Sequence, residues 1–185
     1  RAIELTLAGR KPSGLLALQY RLADRLVFSK VKNAVGGRLR YFVSGGGPLA
    51  PILNRFFNSI GMPILEGYGL TETSPVTNLN GLGASRIGTV GKTVAATEVK
   101  IADDGEIFVR GPQVMKGYYR RPDATNEVFD ADGWFATGDI GEFDSDGFRK
   151  TTDRKKDITV TPCGKNVAPT PIDDPLSSIR FVDPV

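Results

Sequence analysis

The 185 residues contain no histidine at all. That removes the Ser-His-Asp and Cys-His nucleophile schemes, and with them His-ligated zinc. A single cysteine, Cys163, excludes an internal disulfide and fits a reducing, cytoplasmic compartment. No apolar run approaches membrane-spanning length, and the first residues lack the basic start and long apolar core of a signal peptide. Charge is nearly balanced, at net +3, which gives only a weak pull toward an anionic partner. Chemistry in this chain therefore falls to carboxylates, lysine and arginine, hydroxyls and backbone amides. With 40% apolar and 24% charged residues, the composition is that of an ordinary globular protein able to bury a core.

The most informative stretch is Gly61 to Pro75. A short apolar run, Ile64-Leu65, ends in Glu66, and Tyr68 follows between Gly67 and Gly69. Flanking glycines let the backbone turn sharply and leave the ring face open, as a purine would require. Thr71 is suited to donate to a phosphate oxygen, and Glu72 to hold a hard cation such as Mg²⁺. The same residues also fit a strand entering a Gly-rich turn, with Thr71 as a local cap.

The surrounding pattern favours a ligand site. Leu15, Leu18, Leu22 and Leu26 fall at helical spacing, and a shorter helical piece through Val31 and Val35 should stop at Gly36-Gly37. Its Lys30 and Lys32 are expected on a solvated face. Leu39 to Val43 reads as a strand, Ser44-Gly45-Gly46-Gly47-Pro48 as a flexible loop, and Leu49 to Ile60 as an amphipathic helix closed by Gly61. Pro63 to Glu66 is a second strand. Strand, helix and strand over so short a span predict a parallel pair, with the loop at Gly45–Gly47 and a loop at Gly67–Gly69 on one sheet edge. Neither loop fits the P-loop pattern, because no Lys-Ser/Thr pair follows the glycines.

From about Arg86 the texture turns β-rich. Val99 and Ile101 should face Ile107 and Val109 across a hairpin turn at Asp103-Asp104-Gly105, and Pro122 to Phe129 form one short helix. In Trp134-Phe135-Ala136-Thr137-Gly138-Asp139, an aromatic pair anchors a Thr-Gly-Asp end whose carboxylate could take both ribose hydroxyls or could cap a turn. Asp153-Arg154-Lys155-Lys156-Asp157 follows. Arg154 suits a ribose or a phosphate, whereas Lys155 is expected in a solvated linker. The cluster is short and lacks interleaved aromatics, so a nucleic-acid partner is not expected. Prolines at 169, 171, 175 and 184 make a long terminal helix unfavourable.

In this order, Ser44-Gly45-Gly46-Gly47-Pro48-Leu49, Gly67-Tyr68-Gly69-Leu70-Thr71-Glu72-Thr73, Gly133-Trp134-Phe135 leading to Thr137-Gly138-Asp139, Asp153-Arg154-Lys155-Lys156-Asp157 and Gly164-Lys165-Asn166-Val167-Ala168-Pro169 resemble the adenylate-forming superfamily. They are most similar to its long-chain fatty acyl-CoA synthetases. The resemblance implies ATP-dependent activation of a fatty acid through an acyl-adenylate, transfer to coenzyme A, and a requirement for Mg²⁺. It implies that Tyr68 stacks on adenine beside Glu66, Gly67 and Gly69, with Gly45, Gly46 and Gly47 lining the adenine and acyl pocket. Thr71 would contact the α-phosphate, Glu72 the metal, Asp139 and Arg154 the ribose, and Lys156 would be the hinge of a C-terminal lid. The implied architecture is α/β: a partial parallel nucleotide-binding portion over 1–85, a β-rich subdomain over 86–152, and hinge and first lid strands over 153–185. A lipid substrate is compatible with peripheral membrane attachment.

Some family features are missing. The phosphate-binding loop expected before Gly67 and the lysine expected in the lid are not found, and Ala136 stands where a histidine is expected. The chain is therefore expected to be the middle of a synthetase, inactive by itself. The alternatives are a non-catalytic nucleotide- or anion-binding module and another adenylate-forming enzyme, such as a peptide-synthetase adenylation domain.

Overall fold

The computed structural model describes residues 13–157, 159–160 and 166–167. The chain divides into two compact units, Arg1–Glu66 with Gly81–Gly88, and Gly67–Asn80 with Thr89–Val185.

The first unit opens with helix α1 (Gly14–Ala23), a π-helical turn over Asp24–Phe28 and helix α2 (Ser29–Ala34), one continuous helical run. It stops as expected at Gly36 and Gly37, both at positive φ, whose N–H groups reach back to Asn33 and Lys32. Lys32 is not simply solvated: its Nζ pairs with Asp24 at 3.0 Å. The leucine stripe of α1 is more exposed than buried.

Strand β1 (Phe42–Ser44), helix α3 (Pro51–Ser59) and strand β2 (Ile64–Gly69) form the expected strand–helix–strand unit. The strands are parallel, with Phe42 opposite Ile64 and Ser44 opposite Glu66. Gly61 closes α3 at φ 77°. The apolar stripe of α3, however, is not its buried face. Ile52 is 73% exposed, while Asn54 and Ser59 are buried beside a core of Ile60, Met62, Ile64 and Leu65. Asn54 Nδ2 donates to Glu66 Oε1 at 2.7 Å, which explains why a polar residue faces inward.

A second departure concerns Gly67-Tyr68-Gly69, which is strand rather than loop. This half of β2 lies in the second unit and pairs antiparallel with β3 (Val76–Leu79), which in turn pairs with β4 (Lys92–Thr93). The glycines are needed for close approach rather than for a sharp turn. A Cβ on Gly69 would lie 1.6 Å from the Pro75 carbonyl oxygen, the acceptor of the Leu70 N–H.

The rest of the second unit is built on a four-stranded antiparallel sheet of β5 (Glu98–Ile101), β6 (Glu106–Arg110), β7 (Phe135–Phe143) and β8 (Arg149–Arg154), in that order. The expected hairpin is present, with Val99 opposite Val109 and Ile101 opposite Ile107. Helix α4 (Pro122–Val128) matches the expected short helix to within a residue. Ile107, Val109, Phe135 and Phe148 are buried. Thr137-Gly138-Asp139 does not end a strand. It lies inside the nine-residue β7, where the pairing with β6 shifts register and Gly138 has φ 72°. A 3₁₀ turn over Lys155–Asp157 follows β8, and β9 (Thr159–Val160) pairs antiparallel with β10 (Asn166–Val167). The expected tail from Pro169 and most of the Gly164–Pro169 motif lie outside the described residues.

Candidate active site

Within the second unit, β2 and β7 bring Tyr68 and Asp139 together. The Tyr68 hydroxyl donates to Asp139 Oδ2 at 2.5 Å. Asp139 is buried, and its other oxygen faces Arg154 Nε on β8 at 3.4 Å. Three residues that sequence reasoning assigned to an adenosine site, 71 and 86 positions apart from the first, thus form one polar cluster. Burial, and then the bond to Asp139, push the Tyr68 hydroxyl well above the usual tyrosine range, so it is a proton donor at any physiological pH. The register shift in β7 aims the carboxylate: Thr137 Oγ1 donates to the Ile107 carbonyl and accepts the Asp139 N–H at 3.1 Å.

Arg149 was not singled out by the sequence, because a cation in a basic run reads as solvent-facing. It is fully buried. Its guanidinium lies over the Tyr68 ring, 3.8 Å from the centroid, and its Nε has no hydrogen-bond partner among the described residues. Burial pulls its pKa down to about 10, offset by Tyr68 and Asp139, which leaves it a cation at neutral pH.

Thr71 and Glu72 sit on a 3₁₀ turn after β2. The cap of this turn is Thr73 rather than Thr71. Buried Thr73 accepts the Leu70 N–H at 2.9 Å and donates to the Pro75 carbonyl at 2.5 Å, leaving Thr71 exposed. The Glu72 carbonyl accepts the Met115 N–H at 2.7 Å, and Tyr118 donates its hydroxyl to Glu72 Oε1 at 3.0 Å. Tyr118 is a second residue that sequence reasoning missed. Among the described residues no group of three or more acidic, Cys or His side chains could hold a metal. Mg²⁺ takes one or two carboxylates and completes its shell with phosphate and water, so a lone, oriented Glu72 beside an exposed hydroxyl fits it.

A cleft of about 380 Å³ is lined by Thr137, Gly138, Arg154, Lys155 and Lys156. Lys155 is exposed, as expected, but it is also paired. Its Nζ is shared between Glu106 Oε2 at 2.5 Å and Asp104 Oδ2 at 2.7 Å. Glu106 Oε1 in turn accepts the Gly138 N–H at 3.0 Å, so this clasp reaches the turn that presents Asp139. Gly45, Gly46, Gly47 and Glu66 belong to the first unit. Glu66 is buried there, and burial raises its carboxyl pKa against the opposing hydrogen bonds from Asn54 and the Gly88 backbone.

The chain is also similar to known proteins. A long-chain-fatty-acid–CoA ligase of Mycobacterium bovis is 49% identical over 165 residues, covering 89% of this chain and 27% of that protein. Long-chain-fatty-acid–CoA ligase 5 of Mus musculus is 38% identical, covering 87% and 25%. The chain therefore spans about a quarter of the length of these relatives. Among solved structures, O-succinylbenzoate coenzyme A synthetase from Bacillus subtilis in complex with ATP and magnesium ion superposes with a TM-score of 0.69 at 34% identity, covering 75% of this chain and 31% of that one. ATP-bound MatB from Rhodopseudomonas palustris gives 0.73 at 32% identity, covering 81% and 32%. The family model described as AMP-binding enzyme matches residues 12–119, more than half of the chain, and the chain belongs to that family.

Proposed function

We propose that the protein is an ATP-dependent long-chain fatty acid–CoA ligase, and that this chain carries much of its adenosine site. The observation that carries this reading is the Tyr68–Asp139–Arg154 cluster, in which an aromatic face, a buried carboxylate and a guanidinium converge. Tyr68 offers its ring to adenine. Asp139 retains acceptor capacity for ribose hydroxyls after taking the Tyr68 proton donor, since a carboxylate has about four lone-pair sites. Arg154, 58% exposed, can reach a ribose hydroxyl or a phosphate oxygen.

Adenylation displaces pyrophosphate from the α-phosphorus by attack of the fatty acid carboxylate, and charge develops on the phosphoryl oxygens. Thr71 is the donor aimed at that charge, and Tyr118 holds the Glu72 carboxylate in position. Mg²⁺, when bound, supplies Lewis-acid charge stabilisation across the phosphates. The acyl-adenylate then passes its acyl group to the thiol of coenzyme A, releasing AMP. Gly45, Gly46, Gly47 and Glu66 are assigned to the adenine and acyl walls, and Lys156 to the hinge, on the resemblance alone. The domain roles over 1–85, 86–152 and 153–185 rest on the same ground. A nucleic-acid-binding module is disfavoured because Lys155, central to the basic run, is held by two carboxylates.

The test is adenylate formation from a long-chain fatty acid in the complete protein, read as pyrophosphate release. Asp139→Ala and Glu72→Ala should each lower it by at least a hundredfold, the scale of losing a transition-state or positioning group. Undiminished release in both variants would remove the assignment.

A further inference from the structure

We infer that Arg149 is the positioning residue of the adenosine site, holding Tyr68 from behind so that its free face and its bond to Asp139 are set before nucleotide arrives. This rests on the adenosine-site reading above and adds a residue to it. An aromatic ring has two faces. Arg149 occupies one of them at 3.8 Å, so a purine has only the other. The guanidinium is planar and stacks, which suits it to this role better than an ammonium.

Two backbone hydrogen bonds fix the main chain at Arg149. Its N–H donates to the Gly91 carbonyl at 3.0 Å, and its carbonyl accepts the Val90 N–H at 2.8 Å. These bonds tie the first residue of β8 to the segment that precedes β4. Burying an arginine to make one ring contact would be unfavourable for packing alone, because an apolar side chain of similar volume fills such a space without desolvating a charge. Its Nε, moreover, lacks a hydrogen-bond partner among the described residues. What the cation does provide is polarisation. It draws electron density from the phenol and strengthens donation of the Tyr68 hydroxyl to Asp139, whose negative charge in turn holds the cation in place. Adenine stacking and ribose binding are thereby linked through one ring.

The experiment is a double-mutant cycle on AMP and ATP affinity by calorimetry in the complete protein, with Arg149→Met, Tyr68→Leu and the double variant. Arg149→Met should weaken AMP about tenfold, the scale of a desolvated cation–π contact. In the Tyr68→Leu background it should cost less than twofold, because Arg149 acts only through the ring. Arg149→Lys should recover part of the loss. In ¹⁵N-arginine spectra the Arg149 Nε–H should appear displaced by the ring current and lose that displacement in Tyr68→Leu. A melting curve checks each variant, and Arg149→Lys serves if Arg149→Met does not fold. Equal affinity of wild type and Arg149→Met, or costs that add in the double variant, overturns the role of Arg149 while leaving the adenosine site intact. Failure of the wild-type protein to bind AMP or ATP overturns both.

Discussion

Replacing Lys155 with Met should destabilise the β-rich unit by about 1.5 kcal/mol. The perturbation removes one cation from two carboxylates. Glu106 is the consequential partner, because it is nearly buried and its bond to Lys155 is short. Charge-assisted hydrogen bonds contribute about 1.5–3 kcal/mol, and the lower end applies because Lys155 is 47% exposed and partly screened. Glu106 keeps the Gly138 N–H, so its carboxylate is not orphaned. Asp104 returns to water at little cost. For a chain of this length, 1 kcal/mol corresponds to about 2–4 °C in Tm, which predicts a fall of about 3–6 °C at pH 7 by circular dichroism.

The pH profile adds a second constraint. The two carboxylates, Asp104 first and then Glu106, raise the Lys155 pKa above its ordinary value near 10.4. A raised lysine contributes stability that is complete below the unfolded value and is lost only above it, so the gap between wild type and variant should be flat from pH 6 to 9. Asp104 is lowered, chiefly by Lys155, so its share is present above about pH 4 and fades as the pH falls further. An unchanged Tm at pH 7, or a gap that opens or closes between pH 6 and 9, would refute the clasp.

Two further substitutions test the frame of the site. Gly69→Ala places a Cβ 1.6 Å from a backbone oxygen that cannot swing aside, so β2 and the Pro75 turn must separate. The loss should exceed about 3 kcal/mol and appear as poor soluble yield or a Tm lowered by more than about 6 °C. Tyr68→Phe keeps the ring and deletes the proton donor to a buried carboxylate, at a cost of about 2 kcal/mol in urea unfolding. AMP affinity should fall with it, since Asp139 loses the bond that orients it.

The elements that the sequence predicts well are those written in local chemistry. Gly36-Gly37 and Gly61 stop helices because their backbones adopt a left-handed conformation, and the alternation through Val99 to Val109 sets the hairpin register. The motif residues Tyr68, Asp139 and Arg154 were legible as a constellation through a family resemblance, and the fold then joins three distant points in one cluster. What stayed hidden depends on partners far along the chain. A buried Asn54 on the polar side of α3 makes sense only once Glu66 is seen beside it. Lys155 and Arg149 are both cations in one basic run, and composition assigns both to solvent. One is clasped by carboxylates brought in by β6 and the turn before it, and the other lies under a tyrosine ring. Periodicity records which side of an element a residue occupies, but not whether a counter-charge waits there.

The burial of Arg149 also bears on ionic strength. Mobile ions reach Arg154, which is more exposed than buried, and screen it over a Debye length of about 8 Å at physiological salt. They do not reach a guanidinium with no accessible surface. The field that Arg149 sets up around Tyr68 and Asp139 is therefore fixed by the fold and indifferent to the composition of the surrounding electrolyte. The contribution of Arg154 to nucleotide binding should weaken as salt is added, while the contribution that Arg149 makes through Tyr68 stays constant.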